Sequence, residues 1–227
     1  LDRMAVFAEL AGQFGVYACH ENEKGIYGDV ASRCLQIHQA VPELKGVFDP
    51  ANYVLTRQTH SDIVRPVDGS DRGYALVEGA SPECDALVTN TPGVALVIYT
   101  ADCTPVLLHD PVTGAVGAVH AGWRGTVADI AGNAVRAMVR EFGCDPRNIR
   151  AAIGPNLGQC HFETDLDVPA AMTANYGDEV IPFIRQKGEK YFPDLKAINA
   201  LSLRKAGVRH IEISDACTWC ESQRFWS

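Results

Sequence analysis

The sequence lacks the features that would settle its function class at once. No apolar run approaches the roughly 20 residues that cross a bilayer as a helix, so no helical membrane span is expected. Basic residues are few: 20 Lys and Arg stand against 28 Asp and Glu, for a formal net charge of −8. Nucleic acid and anionic membrane surfaces select clustered Lys and Arg, so neither is expected as a partner. A local basic pocket for phosphate stays compatible with that balance, because net charge does not report on one site. There is no GxGxxG, no Walker loop and no GxSxG. That removes the usual marks of dinucleotide binding, P-loop chemistry and the serine nucleophile elbow.

Cysteine is not scarce. Eight are present: Cys19, Cys34, Cys84, Cys103, Cys144, Cys160, Cys217 and Cys220. They are scattered along a 227-residue chain, unlike the dense frameworks of small secreted domains. They read as reduced thiols in a cytoplasmic protein, each by default a small buried hydrophobe. Cys103 and the Cys217–Cys220 pair have a context that lifts them above that default. Hydrophobic residues make up 47% of the chain, enough to build a core.

Met4–Leu10 reads as helical or extended, and Asp29–Val41 has helical spacing. Tyr53–Leu55 and Ile63–Val64 read as short strands around Thr56–His60, and Gly69–Gly79 as a polar loop or hairpin. Val94–Tyr99 is a continuous apolar run, as expected of a strand covered on both faces. Pro105–His109 and Ala115–His120 are two more strands, joined through Asp110-Pro-Val-Thr and Gly114, which is turn chemistry. Thr126–Phe142 carries one apolar stripe from Val127 to Phe142. Its expected N-cap is Thr126, with Asp129 three residues on, and Gly143 is the expected C′ residue. A strand at Ile149–Ile153, a helix near Asp194–Ala206 and a strand at His210–Ile213 complete the reading.

The hairpin suggests a site. If its loop is Asp110–Thr113, then His109 pairs with Gly114 and Cys103 falls opposite His120. Directly opposed residues share a face with Cβ atoms about 4.5–5.5 Å apart, close enough to bind one metal ion. A one-residue slip would separate them. Cys and His are good zinc ligands, and three protein ligands with an open fourth position is the catalytic arrangement. His60, in Gln58-Thr59-His60, is the natural third ligand, reaching in from another strand. Asp102, beside Cys103, could orient a ligand or serve as a general base. Ala121-Gly122-Trp123-Arg124-Gly125 leads into a helix. Glycines at a helix start with an Arg make an anion site. Cys217-Thr-Trp-Cys220 is a lone CxxC that Cys160-His161 could complete, but packing is its expected role.

These motifs together resemble a known family. Gln58-Thr59-His60, Thr100-Ala-Asp-Cys-Thr-Pro105, Val119-His-Ala-Gly-Trp-Arg-Gly125 and Ile153-Gly-Pro155 resemble the YfiH-like laccase-domain family. Glu83-Cys-Asp-Ala-Leu-Val-Thr89, Cys217-Thr218 and Phe225-Trp-Ser227 also look like its segments. Residues 15–30 do not match the Gly-rich segment that members carry near the N-terminus. Members were first described as multicopper polyphenol oxidases and later as purine nucleoside phosphorylases with adenosine deaminase activity.

The resemblance implies an α+β fold of mixed β-sheets sandwiched between helices (layered α/β/β/α), as one catalytic domain over residues 1–227. It implies zinc on His60, Cys103 and His120, copper being possible, with Cys103, His120 and Asp102 as catalytic residues. It implies Arg124, Gln58 and Gly122 at a site for phosphate and a purine nucleoside such as adenosine, inosine, guanosine or methylthioadenosine. Two other readings stay open. Cys103 activated by His120 would make a cysteine hydrolase or amidase. A copper-dependent polyphenol oxidase would fit the older name, but three Met and seven His leave little for multicopper ligation.

Overall fold

The computed structural model describes residues 53–72, 81–225 and 227. The expectations for Met4–Leu10 and Asp29–Val41, and the family comparison at residues 15–30, lie outside the described residues. The fold is a mixed α+β arrangement around a six-stranded sheet. Its strands are β2 (Val64–Pro66), β3 (Ala86–Thr89), β5 (Thr104–His109), β6 (Val116–Ala121), β7 (Arg150–Ile153) and β10 (His210–Ile213). The spatial order is β10-β7-β5-β6-β3-β2. The outer pairs are parallel and the three central pairs antiparallel.

Side-chain alternation divides this sheet into two faces. One face carries Ala86, Val88, Val106, Leu108, Val119, Ala151 and Ile153 into the main core. There they meet Ile130, Ala134 and Met138 of helix α2 (Ile130–Phe142) and Leu203 of helix α4 (Leu195–Lys205). Ile130, Met138, Ile153 and Leu203 are each fully buried or nearly so. Burial on that scale stabilises by about 1.5–3 kcal/mol per large side chain. On the other face Leu87 packs with Val54, Val67, Cys84, Val94 and Leu96. Val54 and Leu96 belong to a parallel two-stranded sheet of β1 (Tyr53–Leu55) and β4 (Ala95–Val97). A second cluster joins Val168, Met172 and Tyr176 of α3 (Asp167–Tyr176) to Leu195 and Ile198 of α4. Beside it lies a hairpin of β8 (Ile184–Lys187) and β9 (Lys190–Pro193).

Three expectations need correction. The hairpin pairs Pro105, not Cys103, with His120, and His109 with Val116. The turn is longer than expected because Asp110 closes it twice. Its N–H donates to Ala115 O at 2.9 Å, and its Oδ1 accepts from Val112 N at 2.9 Å. The displacement is two residues, so face parity survives and Cys103 stays on the side of His120. Secondly, Thr126 is not an N-cap. It is buried inside a short helix α1 (Trp123–Val127) whose N-cap is Gly122. The chain then breaks at Asp129, at φ +63°, before α2 begins. Asp129 is held there by hydroxyls of Tyr176 and Ser202 and by Arg136. Gly143 does close α2, at φ +67°. Thirdly, the Val94–Tyr99 run is a strand only over Ala95–Val97, in the small sheet, and it is not covered on both faces: Ala95 is exposed and Leu96 and Val97 are half-buried. Within the expected loop at Gly69–Gly79, Gly69–Asp71 is a 3₁₀ turn capped by Asp68, and residues 73–79 lie outside the described residues.

Candidate metal centre

His60, Cys103 and His120 converge at one end of the sheet. His120 lies near the end of β6, Cys103 in the bend before β5, and His60 in the loop between β1 and β2. One ligand atom from each lies within 4.8 Å of the others. Cys103 Sγ is 4.0 Å from His60 Nε2, and the two imidazoles meet edge to face with centroids 5.0 Å apart. His120 is buried, Cys103 half-buried and His60 exposed. That gradient leaves one side of the trio open to solvent, as a catalytic metal requires.

Sequence reasoning assigned no role to the residue that builds this arrangement. Asp85, fully buried just before β3, accepts from His120 Nδ1 at 2.8 Å. The bond leaves His120 Nε2 to face the other ligands. The same carboxylate accepts the backbone N–H groups of Thr59, His60 and Ser61 at 3.1, 3.0 and 2.7 Å, and the Ser61 hydroxyl at 2.7 Å. His60 sits at φ +59°, in the left-handed region that non-glycine residues seldom adopt. In that conformation three successive N–H groups point at one carboxylate. The local signals of this role were an acid opening the apolar run Ala86–Val88 and the resemblance of Glu83–Thr89 to a family segment.

The electrostatics keep Asp85 ionised and His120 neutral, and they hold Cys103 as a thiol until a cation draws off its proton. Burial raises the Asp85 carboxyl, but hydrogen bonds from Ser61, His120 and Thr59 outweigh it and hold the group below its ordinary range. Burial lowers His120 despite the Asp85 bond, which favours the neutral imidazole that binds metals. Burial, then the charges of Asp102 and Asp85, raise the Cys103 thiol. An activated cysteine nucleophile needs the opposite shift.

The remaining expected site residues are placed as follows. Gly122 lies against the ligands. A Cβ there would stand 2.8 Å from His60 Cδ2 and 3.3 Å from Cys103 Sγ, so the absent side chain makes the cradle. Gln58 braces the backbone of Tyr99, donating to its carbonyl at 2.8 Å and accepting from its N–H at 2.7 Å. Asp102 makes no hydrogen bond to the ligand trio. Its Oδ1 accepts from the Thr218 and Ser227 hydroxyls at 2.7 and 2.8 Å. Arg124 is exposed, its guanidinium 4.3 Å from the Trp123 ring centroid. Helix α1 has only five residues, so its dipole adds less to an anion site than expected. The structure also brings together Cys160, His161, Cys217 and Cys220, whose ligand atoms lie within 4.8 Å of one another.

Comparisons with known proteins identify the family. The family model described as "multi-copper polyphenol oxidoreductase laccase" matches residues 22–227. The purine nucleoside phosphorylase YlmD of Geobacillus stearothermophilus is 36% identical over 185 residues, 79% of this chain and 68% of that protein. Adenosine deaminase RL5, from an unknown prokaryotic organism, is 38% identical over 205 residues, 88% of this chain and 78% of that protein. The crystal structure of the Bacillus licheniformis hypothetical protein YfiH superposes with a TM-score of 0.75 at 32% identity. The match covers 86% of this chain and 73% of that one. The Geobacillus stearothermophilus YlmD structure also gives 0.75 at 32% identity, over 89% and 75% of the two chains. The chain therefore belongs to the multi-copper polyphenol oxidoreductase laccase family, among YfiH- and YlmD-like proteins.

Proposed function

We propose that this protein is a zinc-dependent purine nucleoside phosphorylase that also deaminates adenosine, acting in the cytoplasm as a single catalytic unit. The observation that carries the reading is the convergence of His60, Cys103 and His120 around one open position, with Asp85 fixing two of the three. The donor set of two imidazoles and one thiolate suits zinc. The names borne by YlmD and RL5 supply the substrate class. A ligating thiol must stay reduced, which favours a reducing compartment.

A zinc ion held by the trio would supply Lewis acidity, activating a nucleophile near neutral pH. The protein's own residues bind and orient. Arg124 stands free to pair with phosphate through its planar fork, backed by the Trp123 ring. Gln58 fixes the Tyr99 backbone beside the site and so shapes the wall that meets the nucleoside. Asp102 Oδ2 receives neither of the two hydroxyls that bind Oδ1, so it serves as the proton acceptor and donor. Gly122 keeps the space beside His60 and Cys103 clear.

The cysteine-hydrolase alternative is opposed by the raised Cys103 thiol and by Asp102 and Asp85 beside it. For the copper oxidase, the two Met among the described residues, Met138 and Met172, are buried in hydrophobic clusters and cannot supply an axial ligand. The test incubates metal-replete protein with adenosine or inosine, with and without phosphate. Free base should appear only with phosphate, and adenosine should yield inosine without it. No turnover of any nucleoside at any phosphate level refutes the reading.

A further inference from the structure

The default reading of Cys160, His161, Cys217 and Cys220 is packing, and it fails for most of the group. Only Cys217 is buried; Cys160, His161 and Cys220 are exposed. An exposed thiol gains nothing from burial and is open to oxidation. The four come together through the sheet. Strands β7 and β10 are parallel neighbours, so the segments leaving their ends emerge side by side. Asn156 and Cys217 continue that pairing as a parallel bridge. Each segment then turns. His161 N donates to Gly158 O at 2.9 Å, and Glu221 N donates to Cys217 O at 3.0 Å. The turns carry Cys160-His161 and Cys217-x-x-Cys220 to one point.

The distances there are those of a coordination shell. With Zn–S near 2.3 Å and Zn–N near 2.05 Å, a tetrahedron places sulfurs about 3.8 Å apart and sulfur about 3.6 Å from nitrogen. Cys160 Sγ lies 3.6 Å from Cys220 Sγ. His161 Nδ1 lies 3.3, 3.4 and 3.9 Å from the sulfurs of Cys160, Cys220 and Cys217. The surroundings fit as well. Gly158 N donates to Cys217 Sγ at 3.3 Å, the kind of bond that steadies a thiolate ligand. A Cβ on Gly158 would lie 3.2 Å from Cys217 Cβ and 3.5 Å from Cys160 Sγ, so glycine permits the approach. Trp219 lies against the His161 ring, centroids 5.8 Å apart.

We propose that Cys160, His161, Cys217 and Cys220 form a second, structural zinc site of the closed Cys₃His type, separate from the His60–Cys103–His120 centre. Four protein ligands leave no open position, so this ion takes no part in turnover. It joins segments sixty residues apart in the chain. Those same segments hold the residue next to Cys103: Thr218 Oγ1 donates to Asp102 Oδ1, and Leu157 N donates to the Asp102 carbonyl. The second ion thus clamps the outer wall of the first centre.

Elemental analysis of zinc-loaded protein tests this. Wild type should carry two equivalents of zinc per chain. The Cys217→Ser/Cys220→Ser variant should carry one and lose the second. His60→Ala/Cys103→Ala should also carry one, which separates this proposal from the reading of the first centre. X-ray absorption at the zinc edge needs no variant. Wild type should average four sulfurs to three imidazole nitrogens across the two sites; the first centre alone would give one to two. One equivalent in wild type that Cys217→Ser/Cys220→Ser leaves in place overturns the proposal. So does a peptide pair from the native protein joined by a Cys160–Cys220 disulfide.

Discussion

Asp85→Asn removes one charge and almost no volume, so its cost can be worked from the hydrogen bonds. Oδ1 accepts from His60 N and His120 Nδ1, and Oδ2 accepts from Thr59 N, Ser61 N and the Ser61 hydroxyl. An amide must place its NH₂ at one of these positions. At Oδ2 it meets two N–H donors, and both lose their acceptor. At about 1.5–3 kcal/mol for each bond to a charged group, the loss is at least about 3 kcal/mol, at a site with no water exposure. At Oδ1 the NH₂ leaves the His60 N–H without an acceptor, and it can donate to His120 only if His120 moves its proton to Nε2, and that nitrogen then has no lone pair for a metal. Either orientation damages the centre, one through the His60 loop and the other through the tautomer. The expected result is a metal affinity lowered about 10–100-fold. Thermal unfolding should fall by roughly 6–12 °C for a chain of this size. Chelator competition reads the first quantity and calorimetry the second. An Asp85→Asn protein with wild-type metal affinity and wild-type unfolding temperature refutes the reasoning.

Gly122→Ala places a methyl 2.8 Å from His60 Cδ2. It should weaken zinc binding about tenfold or more, by chelator competition, while circular dichroism shows the fold retained. Arg124→Ala should raise the KM for phosphate at least about tenfold, the worth of one charge-assisted contact, and raise the nucleoside KM much less. Initial rates at varied phosphate check it, and equal shifts in the two constants count against an anion role. Met138→Ala opens a cavity under the sheet at a fully buried position. Denaturant titration should show about 2–5 kcal/mol of lost stability, with zinc stoichiometry unchanged.

The parts of the fold that were legible in sequence are those whose periodicity is local. The strands at Thr104–His109, Val116–Ala121, Arg150–Ile153 and His210–Ile213 and the helix at Leu195–Lys205 lie where alternation or a helical stripe put them. Helix Asp167–Tyr176 was unread because its Val-Pro-Ala-Ala-Met-Thr-Ala sequence is small and mixed, with little contrast between faces. The Val94–Tyr99 run was read as too long and too buried a strand because apolarity alone does not say where ladder pairing stops or which faces are covered. Beyond Val97 the backbone at Tyr99 is bonded by the Gln58 side chain. The pairing of Cys103 with His120 was wrong in register and right in consequence, since a two-residue shift conserves the face. Sequence named Cys160-His161 as able to complete the Cys217–Cys220 pair but ranked packing first, because the meeting of the four depends on β7 and β10 being parallel neighbours.

Asp85 explains why the ligands can stand ready before any ion arrives. His60 and His120 come from a loop and a strand that share no ladder, and His60 is held in a strained conformation worth about 1–3 kcal/mol. Left alone, that loop would relax and take His60 away from Cys103. The carboxylate offsets the strain with bonds of about 1.5–3 kcal/mol each to consecutive N–H groups, and it orients the second histidine with its remaining lone pair. These bonds require the ionised form, and the same donors keep the carboxyl below its usual range. One buried charge therefore sets the position of one ligand and the tautomer of the other. The third ligand, Cys103, is carried by the bend before β5, where the face shared with His120 is fixed by the sheet. On the proposed function, the binding energy of an ion held here would be available for polarising a substrate, because little of it would be needed to order the protein.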